Sequence, residues 1–183
     1  MPSTEPWLRG TESDLPAVAR AVLHALQLAK EDIQKWCGLL SDAQLNERPS
    51  GIAPVAFHVR HIARSIDRLL TYAEGKALND GQIAQLKNEF DAAATRNELL
   101  TEFNNAITGA ESRIRILAKT NLEEARAVGK KQLPTTVGGL LVHVADHTQR
   151  HVGQAITTMK LIRGSSSGKL VGENIDATNT STH

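Results

Sequence analysis

The chain has 183 residues, 40% of them hydrophobic and 22% charged, with a formal net charge of +1. That length suits one domain with a full core and is short for two, and so even a charge balance excludes a strongly nucleic-acid-directed surface. Aromatic residues make up only 3%, so the core must come mainly from Ala, Leu, Ile and Val, a composition that suits closely packed helices.

The N-terminal stretch carries Glu5, Glu12 and Asp14 with no long apolar run, unlike a signal peptide. A first helix is expected from about Asp14 to Leu40, because Leu15, Val18, Val22, Ala25, Ala29, Ile33 and Trp36 follow three-and-four spacing. Ser13 or Asp14 can cap it, and Pro16 is tolerated in its first turn. Cys37, the single cysteine, excludes an internal disulfide and fits a reducing compartment. Among Ile33, Trp36, Leu39 and Leu40 it reads as a buried core thiol. Residues 41–51 read as a connection closed by Pro49 and Gly51.

A second helix is expected from about Pro54 to Glu74, with a stripe of Val55, Val59, Ile62, Ile66, Leu69 and Ala73 and with Gly75 as its C-terminal cap. Arg60, Arg64 and Arg68 recur every four residues and read as a solvated face. Residues 76–90 form a long connection holding a short helix around Ile83 and Leu86. A third helix, about Arg96 to Lys119, is marked by Leu99, Phe103, Ile107, Ala110, Ile114 and Leu117. Leu133-Pro134-Thr135-Thr136 resets the chain, and a Thr can cap a fourth helix from about Val137 to Ile162. Gly, Ser, Thr and Asn then dominate, so Gly164 to His183 reads as a loose tail. No β-pattern and no internal repeat is evident. No stretch approaches the ~20 apolar residues of a membrane span. The reading is therefore all-α: a four-helix bundle over residues 1–163 with a long connection between helices 2 and 3, a flexible tail over 164–183, and a cytoplasmic location.

Five of the seven histidines fall in two helical blocks, His58 and His61 in the second helix and His143, His147 and His151 in the fourth. A pair four residues apart puts two imidazoles on one helix face, and bundles build metal sites from facing side chains. With the stripe of the fourth helix centred on Val137, Leu141, Val144, Thr148 and Ala155, His151 lies about 40° from its centre, His147 about 80° and His143 about 120°. His147 and His151 thus face or flank the interior, where unpartnered imidazoles would cost about 1–3 kcal/mol each. A third imidazole from the second helix would complete a three-nitrogen site with open positions. On that helix spacing favours His58, about 70° from the stripe centre, over His61 at about 130°.

Other chemistries fall away. His147-x-x-x-His151 has zincin spacing, but Thr148 stands where that motif needs Glu. No Glu has His three residues later, as di-iron bundles require. Gly164-Ser-Ser-Ser-Gly168 matches a nucleophile elbow but has no strand before it.

Leu45-Asn-Glu-Arg-Pro49, His61-Ile-Ala and His147-x-x-x-His151-x-Gly-Gln154, in that order and spacing, resemble the DinB-like (DinB/YfiT-like) metalloenzyme superfamily over about Asp14 to Arg163. The resemblance implies a four-helix bundle with a His triad for a divalent metal such as Zn or Ni. Its ligands would be His61, His147 and His151, because the family's second-helix ligand precedes an Ile/Leu-Ala pair. His58 stays the alternative, or a supporting group, and His143 and Asp146 are further candidates to orient the ligands. The resemblance also implies a low-molecular-weight thiol and a small electrophilic substrate, in a thiol-dependent S-transferase or isomerase. Two other readings stand beside it. One is a metal-dependent hydrolase. The other is a non-catalytic bundle that dimerises or binds small molecules, with apolar positions such as Leu70 and Ile156 open to a second copy.

Overall fold

A computed structural model describes residues 4–90 and 93–176, with side chains on the last helix placed as far as Gly164. In chain order its helices are α1 (Ala17–Cys37), α2 (Asp42–Asn46), α3 (Val55–Ala73), α4 (Asp80–Lys87) and α5 (Arg96–Leu117). A short hairpin, β1 (Ala125–Val128) and β2 (Leu133–Thr136), then leads into α6 (Val137–Asp176). The molecule is mostly helical. Each of the four long helices packs against two others, α1 and α3 both lying against α5 and α6. The broadest seam is between α3 and α6, the two helices that carry the five clustered histidines.

The local reasons for these elements are mostly ordinary capping and periodicity. Capping boxes start α2 at Ser41, α4 at Asn79 and α5 at Thr95, each pairing the cap with a Gln or Glu at the third helical position. Gly75, at φ +74°, closes α3 in the left-handed conformation expected for it. The expected stripe of α5, Leu99 to Leu117, is buried in full. So are Val137, Leu141, Val144, Thr148 and Ala155 of α6. Cys37 is 1% exposed, and burial pushes its thiol up to about 12, outweighing nearby Arg96, so it is an inert core group.

Several expectations are corrected. The first helix starts at Ala17, because Pro16 holds the extended backbone of an N-cap, and Asp14 pairs with Arg115 at 3.3 Å instead of capping. The fourth helix continues past Ile162 to Asp176, so the loose tail expected from Gly164 begins as helix, and its residues 177–183 lie outside the described ones.

A strand pair exists where none was expected. Ala125–Val128 runs antiparallel to Leu133–Thr136 in a ladder too short and too mixed in character to announce itself. It is held by its anchorage: Arg126 donates to the Ala73 carbonyl at 2.8 Å, and Val137 and Gly138 donate to the Glu124 and Leu122 carbonyls. Thr136 does cap α6, accepting from the Gly139 amide at 3.0 Å.

The arginine row also differs from expectation. Arg60 and Arg68 are 5% and 8% exposed rather than solvated, because the connection around α4 folds over that face. Gln82 pins it there, its amide donating to Asp67 at 2.6 Å and Thr71 at 2.9 Å. Leu70, read as open to a second copy, is 0% exposed, and Ile156 is half-buried against the core.

Phe103 is the one fully buried phenylalanine, in a core built almost entirely from aliphatic side chains. Phe103→Ala should therefore cost about 3–5 kcal/mol in denaturant unfolding, with m unchanged, since small neighbours cannot collapse into the space it leaves.

Candidate metal centre

Two turns of α3 and two turns of α6 face each other at the site. α6 presents His147 and His151 one turn apart, and α3 presents His58 and His61 across the seam. His61, His147 and His151 each offer a ring nitrogen such that all three lie within 4.8 Å of one another. His61 Nε2 is 2.9 Å from His147 Nε2. The His61 and His151 ring centroids are 4.5 Å apart, and those of His147 and His151 are 4.6 Å apart. His58 stands beside this group, its Nδ1 3.0 Å from His151 Nδ1. His58 is the more buried of the α3 pair, at 6% exposure, in agreement with its spacing, but the cluster of three contains His61. His143 is half-exposed and lies outside the cluster, 3.8 Å from Asp146, whose carboxylate binds Arg150 at 2.9 Å.

The carboxylate that touches a clustered histidine is a different one. Glu89, just beyond α4 and 4% exposed, accepts from His61 Nδ1 at 2.7 Å and, through its other oxygen, from Arg68. Sequence reasoning missed it because the tail of the connection has no periodicity. The available signal was indirect: a cation seven residues after His61, on the same face of α3, would need an acid if that face were covered. Phe57 walls the site, stacked on His61 with ring centroids 5.3 Å apart and tilted against Phe90 at 4.9 Å. Arg48 lies over the Phe90 ring at 4.4 Å and closes that side.

Burial alone would raise the Glu89 pKa, but the hydrogen bonds from His61 and Arg68 outweigh it and hold the carboxyl below its ordinary value. Glu89 is therefore ionised and can only accept. His61 Nδ1 must carry the proton, which in a neutral ring leaves Nε2 with its lone pair turned towards His147. Burial, then neighbouring histidines, push His58, His147 and His151 down to about 4, so all three are neutral at pH 7.

Imidazoles with converging nitrogens, one of them oriented by a carboxylate, are the donor set that Zn, Ni or a similar divalent ion takes. The residues present fit such an ion. Among the described residues the set holds three nitrogens and no fourth protein ligand. A cleft of about 270 Å³, bordered by His61, Ser65, Arg68, Tyr72 and His147, reaches the group from outside. Thr148, between the two α6 histidines, is 0% exposed with its hydroxyl turned into the core, so no general base stands at that position.

A family model described as the DinB superfamily matches residues 25–155. The fold resembles the crystal structure of a conserved protein from Enterococcus faecalis, with a TM-score of 0.57 and 18% sequence identity over 79% of this chain and 96% of that one. Among curated proteins, no sequence matches.

The geometry of Glu89 and of the neutral rings can each be tested. Glu89→Gln should weaken zinc binding about 10- to 100-fold in competition with a chromophoric chelator, since the amide no longer fixes the His61 tautomer as an anion does. Metal-free protein should lose thermal stability as the pH falls from about 6.5 towards about 4. The folded-state values of His58, His147 and His151 lie below the ordinary 6.5, so the unfolded chain takes up protons first and is favoured on the way down. Melting the metal-free protein across that range checks it, and His147→Ala should flatten the decline.

Proposed function

This chain belongs to the DinB superfamily, and on that premise we propose that it is a metal-dependent enzyme on a four-helix bundle, with His61, His147 and His151 holding one divalent ion, Zn or Ni. The observation that supports this most is the facing pair of Nε2 atoms on His61 and His147 at 2.9 Å. Glu89 holds the His61 ring through Nδ1 with Nε2 towards His147, and a shared cation would take the place of that hydrogen bond while also taking His151.

The reaction proposed is thiol-dependent transfer or isomerisation of a small electrophile, with a low-molecular-weight thiol as co-substrate. A divalent ion at such a site lowers the pKa of a bound thiol and so supplies a thiolate nucleophile. The chain's own residues do the rest. Glu89 and Arg68 fix His61, and His58, beside His151 Nδ1, fixes that ring. Phe57 and Phe90 shield one flank from water, leaving the cleft beside Ser65 and Tyr72 as the approach for small molecules. A cytoplasmic setting belongs to the same proposal, supported by the lone reduced thiol of Cys37. Among the described residues no helix is long and apolar enough to cross a membrane.

Elemental analysis of protein purified without a His-tag or chelator tests the reading. Wild type should carry close to one equivalent of divalent metal and His147→Ala essentially none. A wild type that is metal-free and takes up neither Zn nor Ni would remove the enzyme reading. A metal-loaded protein that hydrolyses esters or amides without any thiol would replace the transferase with a hydrolase.

A further inference from the structure

The face of α3 that carries His61 continues through Ser65, Arg68 and Tyr72, and the small cleft at the histidines follows it. Tyr72, Leu78 and Leu86 border that cleft and also a second, larger one of about 1170 Å³ between the end of α3, α4 and the β1–β2 hairpin. The two spaces therefore meet across the same three side chains. From His61 to Tyr72 the helix advances about 16 Å, at about 1.5 Å per residue. Side by side along α3, the two clefts cover a length that suits an extended small molecule with one end at the histidines.

The walls of the larger cleft define what would fill it. Its α4 side is apolar and open: Ile83 and Leu86 are 38% and 49% exposed, although Gln82 on the same short helix is buried and bonded to α3. Its rim holds four cations, Lys76, Lys87, Arg126 and Lys130, against two carboxylates, Glu74 and Glu124. Both carboxylates are already paired. Glu74 binds Arg113 at 2.5 Å and Lys76 at 2.9 Å, and Glu124 binds Arg126 at 2.8 Å. Arg126 is further committed to the Ala73 carbonyl. Lys87 and Lys130 make no hydrogen bond or ion pair among the described residues, which leaves two uncommitted positive charges lining an otherwise largely apolar cleft.

We propose that this cleft binds an elongated organic anion, its apolar body against Tyr72, Leu78 and Leu86 and its charge met by the lining lysines Lys87 and Lys130. The part that faces the histidines rests on the metal-enzyme reading above; the anion subsite does not. A carboxylate, sulfonate or phosphate suits the rim equally, because each offers oxygens that accept from two ammonium groups.

Two fluorescent probes built on the same naphthalene and phenylamine rings separate charge from burial: 8-anilinonaphthalene-1-sulfonate and the uncharged N-phenyl-1-naphthylamine. Both are titrated into folded wild-type protein with and without added zinc, with near-UV circular dichroism to confirm that packing is intact. The double variant Lys87→Glu, Lys130→Glu should weaken the sulfonate by about tenfold or more, while shifting the neutral probe by less than about twofold. Leu86→Asp should weaken both. Sulfonate affinity indifferent to the two lysines, or no sulfonate binding to the wild type, overturns the proposal. Running His147→Ala in parallel separates this from the metal reading. If the wild type takes up no metal yet its sulfonate binding depends on the lysines, the subsite stands and the metal reading falls. If the wild type holds metal but binds the sulfonate without regard to the lysines, the subsite alone falls.

Discussion

The site depends on one buried carboxylate. Glu89 sits between a histidine and an arginine of the same helix, and its removal from water is compensated only because both partners donate to it. That interaction has two consequences at once. It ties the end of a long, polar connection to α3, so that the arginine face becomes interior. It also dictates which nitrogen of His61 carries the proton, and therefore which one faces α6. Neighbouring bonds help to hold the connection down. Gln82 reaches Asp67 and Thr71, Arg64 donates to the Gln85 carbonyl at 3.3 Å, and Arg48 donates to the Phe90 carbonyl at 3.2 Å. Among the described residues, Glu89 is the hydrogen-bond partner of His61 Nδ1, and it fixes which nitrogen of that ring carries the proton. Substitution of Glu89 should thus affect the metal more than the fold.

The long helices and their inward faces were legible in the sequence because those signals are local. Three-and-four apolar spacing, a Thr before the first turn and a Gly after the last each act within a few residues. The His147–His151 pair belongs to the same class, since spacing alone puts both rings on one face. What could not be read was decided by contacts distant in the chain. The hairpin depends on Arg126 reaching Ala73, and its strands are too short to form on pattern alone. The burial of Arg60 and Arg68 depends on a connection whose own residues look like solvent-exposed loop. The choice between His58 and His61 shows the limit most clearly. Periodicity measures burial, and His58 is indeed the more buried, but grouping depends on which ring nitrogen meets α6 across the seam. The motif resemblance supplied that distinction where spacing did not.

The histidine cluster and the larger cleft lie along the same face of α3. At its start, aromatic contacts from Phe57 and the ionic contact of Glu89 hold the clustered imidazoles in place, an arrangement compatible with a metal site. Towards its end the same helix face passes into an apolar slot rimmed by lysines, which suits recognition of a substrate by shape and charge. The structural elements that build the second half, α4 and the hairpin, lie outside the four long helices and carry few core contacts. They are the parts that could vary between proteins of one fold while the histidine pair and its seam stay the same.

The central claim is that three particular nitrogens converge on one ion, and anomalous diffraction at the zinc absorption edge from zinc-loaded crystals tests it most directly. The expected result is a single anomalous peak about 2.0–2.1 Å from ring nitrogens of His61, His147 and His151, with a remaining position open to solvent and with Glu89 still on His61 Nδ1. A peak coordinated by His58 in place of His61, or by His143 and Asp146, or no bound zinc between α3 and α6, would contradict it.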